Sequence, residues 1–228
     1  MNKFNNKTYS YNIVPITFDD KKNVKEFLTN FFFRQEPLIV CLKLFEDVNS
    51  LEKLKNYGFR TLDNGLTLKA VSPNGDLIGV ISNEILSRDS EEHNNYSDDS
   101  SCQDDSVKFK KFMTLFKKVE QESDVFKMHP TLNRVMDIKI VAVDEAFRGQ
   151  GVCKALFDKT KELALEKKCS MLRVECSSYF SGNAAKKLGF QCEYSLRYRE
   201  YKNEKGELVF DPPSPHEYFK VYTLLIDK

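Results

Sequence analysis

Apolar and polar positions alternate from Tyr9 to Ile16, the period of two that predicts a strand. Asp19 or Asp20 then stands where a helix cap is wanted. Val24, Phe27, Leu28, Phe31 and Phe32 follow with the i, i+3, i+4, i+7, i+8 spacing of a helix that buries one stripe and points Glu36 outward at its end. Leu51, Leu54 and Tyr57 before Gly58 predict a short second helix. Two alternating runs, Thr67 to Val71 and Leu77 to Ser82, flank Pro73-Asn74-Gly75-Asp76 and read as a hairpin. Residues 88–106 keep no period and carry seven acidic residues against the single Arg88, which predicts a mobile acidic loop. Phe109, Phe112, Phe116 and Val119 then share one face of a helix from about Val107 to Glu122. Two further apolar strands, Met136 to Val143 and Met171 to Cys176, each lead into a helix. Strands and helices in this order predict an α/β fold, a mixed central sheet with helices on both faces. At 228 residues the chain fits one domain, 1–228, with a sizeable core.

The junction after the Met136 to Val143 strand carries the first chemical signal. There Arg148-Gly149-Gln150-Gly151-Val152-Cys153-Lys154 opens an amphipathic helix. Glycines let backbone N–H groups approach an anion closely, and the first turn of a helix offers unpaired donors and a favourable dipole. A pyrophosphate is the natural guest. The third glycine of a dinucleotide fold and the Gly-Lys-Ser/Thr of a P-loop are both absent. The other reading of the same residues is a glycine-containing turn before an ordinary helix.

The Arg148-x-x-Gly151-x-Cys153 loop resembles the acetyl-CoA loop of the GCN5-related N-acetyltransferases, whose last position is usually Gly or Ala. The segment Cys176-Ser177-Ser178-Tyr179-Phe180-Ser181, the helix exit Leu188-Gly189-Phe190, the run Glu36-Pro37-Leu38 and the tail through Phe210 to His216 are similar to the insect arylalkylamine, dopamine-type members of that superfamily. The likeness runs from Tyr11 to the last strand. It implies an acetyltransferase fold in which two parallel strands splay around the thioester arm, with Val141 or Val143 offering backbone groups to the pantetheine and polarising the acetyl carbonyl. It also implies acetyl-CoA as co-substrate and direct transfer to a small arylalkylamine in a ternary complex. Glu36 takes the place of the catalytic glutamate, and Ser177 and Ser181 match two serines credited with proton transfer. Two departures stand nearby, Gln35 for the usual Asp and Ile39 for a common Asn.

That chemistry makes its own demands. A primary amine with a pKa of about 10.4 is neutral in only about one molecule in a thousand at pH 7, so a group must accept a proton. Attack on a thioester also builds an oxyanion and expels a thiolate, which call for hydrogen-bond donors. Glu36 is a weak base unless Phe31, Phe32 and Phe33 raise its pKa or a water relays the proton; the plain alternative is a solvated glutamate before a helix-ending proline. Ser181 competes as a helix cap. Cys153 at a helix start is expected to have a lowered thiol pKa or simply to fill a small position. His216 and Tyr179 are candidates for the amine pocket, and Tyr194, Tyr198 and Tyr201 could stack on an aromatic amine or face the core.

Composition narrows the partners. With 35 basic and 34 acidic residues the net charge is +1, which leaves no nucleic-acid footprint. No apolar run reaches the roughly 20 residues of a membrane span, and the polar N-terminus has no leader character, so a cytoplasmic protein without membrane partners is expected. Six scattered cysteines without a Cys-x-x-Cys pair read as free buried thiols, and no metal-ligand spacing appears. Two alternatives stay open: an acetyltransferase for polyamines, for which the acidic loop would be a lure, and a CoA-binding protein without turnover. Oligomeric state is not encoded in any of these features.

Overall fold

The computed structural model describes residues 10–89 and 107–226. Nearly all of the predicted acidic loop, 90–106, lies outside the described residues. Arg88 at its start is held firmly, its guanidinium donating to the carbonyls of Phe126, His129, Pro130 and Leu132.

Seven strands form one sheet: β1 (Asn12–Pro15), β2 (Leu68–Val71), β3 (Leu77–Ser87), β4 (Arg134–Val143), β5 (Met171–Cys176), β6 (Gln191–Arg197) and β7 (Tyr218–Leu225), in the order β1-β2-β3-β4-β5-β7-β6. Only β4 and β5 run parallel; every other neighbouring pair is antiparallel. Helices α1 (Lys21–Leu28), α2 (Pro37–Cys41), α3 (Val48–Phe59) and α4 (Val107–Glu122) cover one face. A short α5 (Val125–Met128), which the sequence pattern did not suggest, is capped by Asp124 and packs on the end of β4. Helices α6 (Val152–Glu166) and α7 (Tyr179–Lys187) cover the other face. The mixed sheet with helices on both faces is the expected architecture.

The first predicted helix is two structures. After Leu28 the chain widens into a π-helical turn over Thr29–Phe33. The extra residue per turn rotates the stripe, so Phe33 is buried while Phe31 and Phe32 are only half-buried. Glu36, expected to point outward, is instead the N-cap of α2: its Oε2 accepts from the Ile39 N–H at 2.7 Å, and Pro37 occupies the first turn, where a missing N–H costs nothing. Proline here starts a helix rather than ending one. Strand β1 begins at Asn12, inside the predicted Tyr9 to Ile16 run, whose Tyr9 lies outside the described residues, and β3 continues five residues past the expected Ser82, paired with β4 as far as Ser87↔Arg134.

Two irregularities in β4 open the sheet. Ser82 pairs with Ile140 and Asn83 with Ile138, so Lys139 is an extra, bulged residue. The parallel pairing with β5 runs only from Met136↔Leu172 to Ile138↔Val174. Beyond that pair β4 and β5 part, and the backbone from Lys139 onward is left without β5 as a partner.

Candidate active site

The parting strands floor a cleft of about 590 Å³, roofed on one side by the π-helical turn and α4. Its wall is largely aromatic, with Phe31, Phe32, Phe112, Phe116, Phe180 and Phe219 among the lining residues. Glu36, Val141, Val143, Arg148, Cys153, Ser177, Ser181 and His216 also reach it, so most of the sequence candidates converge on one space.

Glu36 is the most informative of them. It is 6% exposed, and Oε1, the oxygen not used for capping, is buried with no hydrogen-bond partner among the described residues. Burial raises its pKa above the ordinary carboxylate range, while the nearby Ser177 hydroxyl and the α2 N–H groups oppose that shift. Ser177 therefore sits beside Glu36 without forming a bond of ordinary length, which leaves Oε1 free to take one. The Ser177 carbonyl is held from behind by the buried Tyr198 hydroxyl at 2.7 Å.

Ser181 does not cap α7. The cap is Ser178, whose Oγ accepts from the Ser181 N–H at 3.0 Å; α7 already starts at Tyr179, and the Ser181 hydroxyl turns back onto the Ser178 carbonyl at 3.1 Å. The sequence could not separate Ser178 from Ser181 as the cap because both stand near the strand-to-helix corner. Tyr179 is 53% exposed and its side chain does not line the cleft; its backbone N–H donates to Nδ1 of His216 at 3.2 Å. That bond makes Nδ1 the acceptor, so a neutral His216 carries its proton on Nε2. Burial lowers the His216 pKa, which favours this neutral form. The three other tyrosines are committed elsewhere: Tyr198 to Ser177, Tyr201 stacked on Phe210, and Tyr194 bonded to Glu122.

The glycine loop has the geometry an anion needs. Gly149 and Gly151 take φ of 75° and 83°, and a side chain on Gly151 would bring its Cβ to 3.3 Å from the Tyr11 hydroxyl. No side chain caps α6, and its first intrahelical bond is Ala155 N–H to the Gly151 carbonyl. The N–H groups of Val152, Cys153 and Lys154 thus have no helical acceptor. Side chains here are engaged elsewhere: Gln150 donates to the Ala146 carbonyl at 3.0 Å, Val152 is buried against Gly79, and Lys154 pairs with Asp158. Only backbone is on offer, as a pyrophosphate cradle requires. Of the two readings of Cys153, the small residue at the loop's last position fits and the activated thiol does not: burial pushes its thiol up to about 11 rather than down. The free thiols are also less uniformly buried than expected, since Cys192 is exposed and Cys41 half-buried.

Two features were not anticipated. Arg148 donates from Nη2 to Gln35 Oε1 at 2.7 Å and from Nε to the Val143 carbonyl at 3.3 Å, linking the loop to the residue before Glu36. Below the fork, Asp137 and Arg173 face each other in register and pair at 3.0 Å; Lys139 joins at 2.9 Å to Asp137, and Glu175 at 2.7 Å to Arg173. Burial alone would raise the Asp137 pKa, but Lys139 and Arg173 overcome it and hold the carboxyl below the usual range. Opposite charges two apart in each of two buried strands were the signal in the sequence for this cluster. Among the described residues no group of three or more His, Cys, Asp or Glu could hold a metal, and no helix is long and apolar enough to cross a membrane.

A fork between two parallel strands beside a backbone anion cradle defines an acetyl-CoA-dependent acyltransferase. Residues 46–190 match the acetyltransferase (GNAT) family, more than half of the chain, and the protein belongs to that family. Acetyl-CoA is its co-substrate. The chain is 28% identical to arylalkylamine N-acetyltransferase 2 from Aedes aegypti, covering 96% of this chain and 100% of that one with a TM-score of 0.86. The polyamine N-acetyltransferase of Drosophila melanogaster, an enzyme that forms N-acetylagmatine, shares the fold at 19% identity and a TM-score of 0.81, over 95% of this chain and 100% of that one. Arabidopsis thaliana NAA60, solved with acetyl-CoA, shares it more distantly at 17% identity and a TM-score of 0.50, over 95% of this chain and 99% of that one.

Proposed function

We propose that this acetyltransferase acetylates small arylalkylamines by direct transfer in a ternary complex. The observation that carries this reading is the unpartnered, buried Oε1 of Glu36 in a cleft walled by phenylalanines. Acetyl-CoA supplies an acyl group already activated as a thioester. Gly149 to Lys154 bind its pyrophosphate through backbone N–H groups, and Val141 and Val143 lie along the fork for the pantetheine arm. Glu36 accepts the proton that the ammonium must lose, directly or through a water, and its raised pKa makes it a better base than an exposed glutamate. Ser177 positions that proton path. Nε2–H of His216 is the donor for the departing sulfur, and the Ser181 hydroxyl becomes a second one by turning away from the Ser178 carbonyl. The amine's aromatic body packs against Phe112, Phe116 and Phe180, and the aromatic walls exclude water from the transfer.

The Aedes aegypti likeness supports the aromatic class. A second reading, an aliphatic diamine acceptor, draws on the carboxylate of Glu175, which lines the cleft together with the phenylalanines. Thiol release from acetyl-CoA with dopamine, tyramine, serotonin, histamine, spermidine and a lysine peptide separates the two. Saturable release with the aromatic amines is the expected result; release with spermidine alone would overturn the acceptor class, and silence with all of them would overturn amine acetylation.

A further inference from the structure

The aromatic cleft also carries charge. Besides Phe112 and Phe116 its wall includes Tyr57, Arg60, Lys139 and Glu175. Lys139 is the bulged residue of β4, and Glu175 follows the last residue of β5 that pairs with β4, so both sit where the strands part. The Lys139 ammonium donates to Asp137 Oδ2 at 2.9 Å and lies 4.0 Å from Glu84 Oε2, too far for a hydrogen bond, and Oε1 of Glu175 accepts from Arg173 at 2.7 Å. This part of the cleft wall therefore offers a donor and an acceptor together.

The same part of the wall is balanced in charge. Arg60 pairs with Glu84 at 3.3 Å, and Lys139 and Arg173 share Asp137 and Glu175, so three cations face three carboxylates. A fourth carboxyl, Glu120, interacts with the charges of this cluster but lines a separate cavity of about 400 Å³ together with Arg173. A second ammonium on the acceptor would meet two cations of the cleft wall, Lys139 and Arg60, as well as Glu175, and it would surrender its hydration against that repulsion. A neutral hydroxyl suits a donor–acceptor pair, donating to the carboxylate and accepting from the ammonium. A bare ring would strip water from both groups and return nothing.

We propose that Lys139 and Glu175 form a specificity subsite that reads a ring hydroxyl at the far end of the acceptor, so that a phenolic arylalkylamine is preferred both to its deoxy analogue and to an aliphatic diamine. This rests on the amine-acetylation reading and names the acceptor within it. The test is kcat/KM by thiol release for tyramine, 2-phenylethylamine and putrescine, on the native enzyme and on Glu175→Gln, which keeps a carbonyl oxygen for Arg173. A comparison between amines on one preparation cancels any general loss of folded enzyme. Native enzyme should favour tyramine over 2-phenylethylamine by about 10- to 100-fold, and Glu175→Gln should cut that preference at least about fivefold. Lys139→Met should cut it too, but it strips Asp137 of a partner and can fail to fold, so Glu175→Gln decides. Equal use of the two aromatic amines, an unchanged preference in Glu175→Gln, or a preference for putrescine overturns the subsite while leaving acetyl transfer standing. No transfer to any amine, despite acetyl-CoA binding, overturns the functional reading and the subsite with it.

Discussion

Replacing Glu36 by glutamine swaps one oxygen for an amide in a buried side chain and leaves its shape. The capping bond survives, because the glutamine carbonyl can still accept from Ile39 N–H at the 2.7 Å position. The base is lost. General-base catalysis contributes typically about 10²- to 10⁴-fold, so kcat should fall by that factor, about 3–5 kcal/mol of transition-state stabilisation. The Kd for acetyl-CoA should stay within about twofold, since the cradle at 149–154 is made of backbone on another element. Stability should move the other way. Burial raises the Glu36 pKa above its ordinary 4.5, so the folded state holds that proton more tightly than the unfolded chain. The native enzyme then loses stability as pH rises through this range, and Glu36→Gln escapes the loss: its Tm advantage should grow from pH 5 to pH 8. Glu36→Ala should lose both turnover and about 1 kcal/mol of capping. Rates by thiol release, affinity by calorimetry and melting at two pH values give the full set. A variant with native kcat would refute the assignment, and one that binds acetyl-CoA tenfold more weakly would move Glu36 into the cofactor site.

Four further outcomes are expected. Gly151→Ala places a Cβ against Tyr11 at a φ of 83° and should raise the KM for acetyl-CoA about tenfold while the amine KM holds, as measured by varying each substrate in turn. Ser178→Ala removes the α7 cap and should lower stability by about 1 kcal/mol in urea melts, whereas Ser177→Ala should leave stability near native and lower kcat. Glu120 is pushed up to about 7 by burial and by Glu175, so its ionisation destabilises the fold as pH rises from about 4.5 to 7. Glu120→Gln should therefore gain about 1–2 kcal/mol at pH 8 and little at pH 5, a value reduced for the group's partial exposure. Asp137→Asn strips two buried cations of their shared counter-charge and should cost about 3–5 kcal/mol; a loss under 1 kcal/mol in denaturant titration would show that the cluster relaxes or takes up water.

Local pattern determined a great deal of this protein. The hairpin at 72–76, the amphipathic α4 and α6, the two strands of the fork and the glycine loop are each set by residues close in sequence, because period, turn chemistry and capping act over a few positions. The resemblance then supplied strand order and the pairing of Glu36 with Ser177, 141 residues apart, which no local rule contains. What failed was also local in cause and tertiary in outcome. Glu36 turned inward because the chain inserts a π-helical turn and restarts a helix at Pro37, and a five-residue detour is invisible to a stripe read at 3.6 per turn. Ser178 rather than Ser181 caps α7 because the corner after β5 is tighter than the motif implies. Cys153 fills the small position of the loop but is not an activated thiol, because desolvation there outweighs the helix start. The bulge at Lys139 belongs wholly to tertiary structure. It exists only as a mismatch with β3, it coincides with the end of the β5 pairing, and together they open the fork and bring Lys139 and Glu175 to the wall of the cleft.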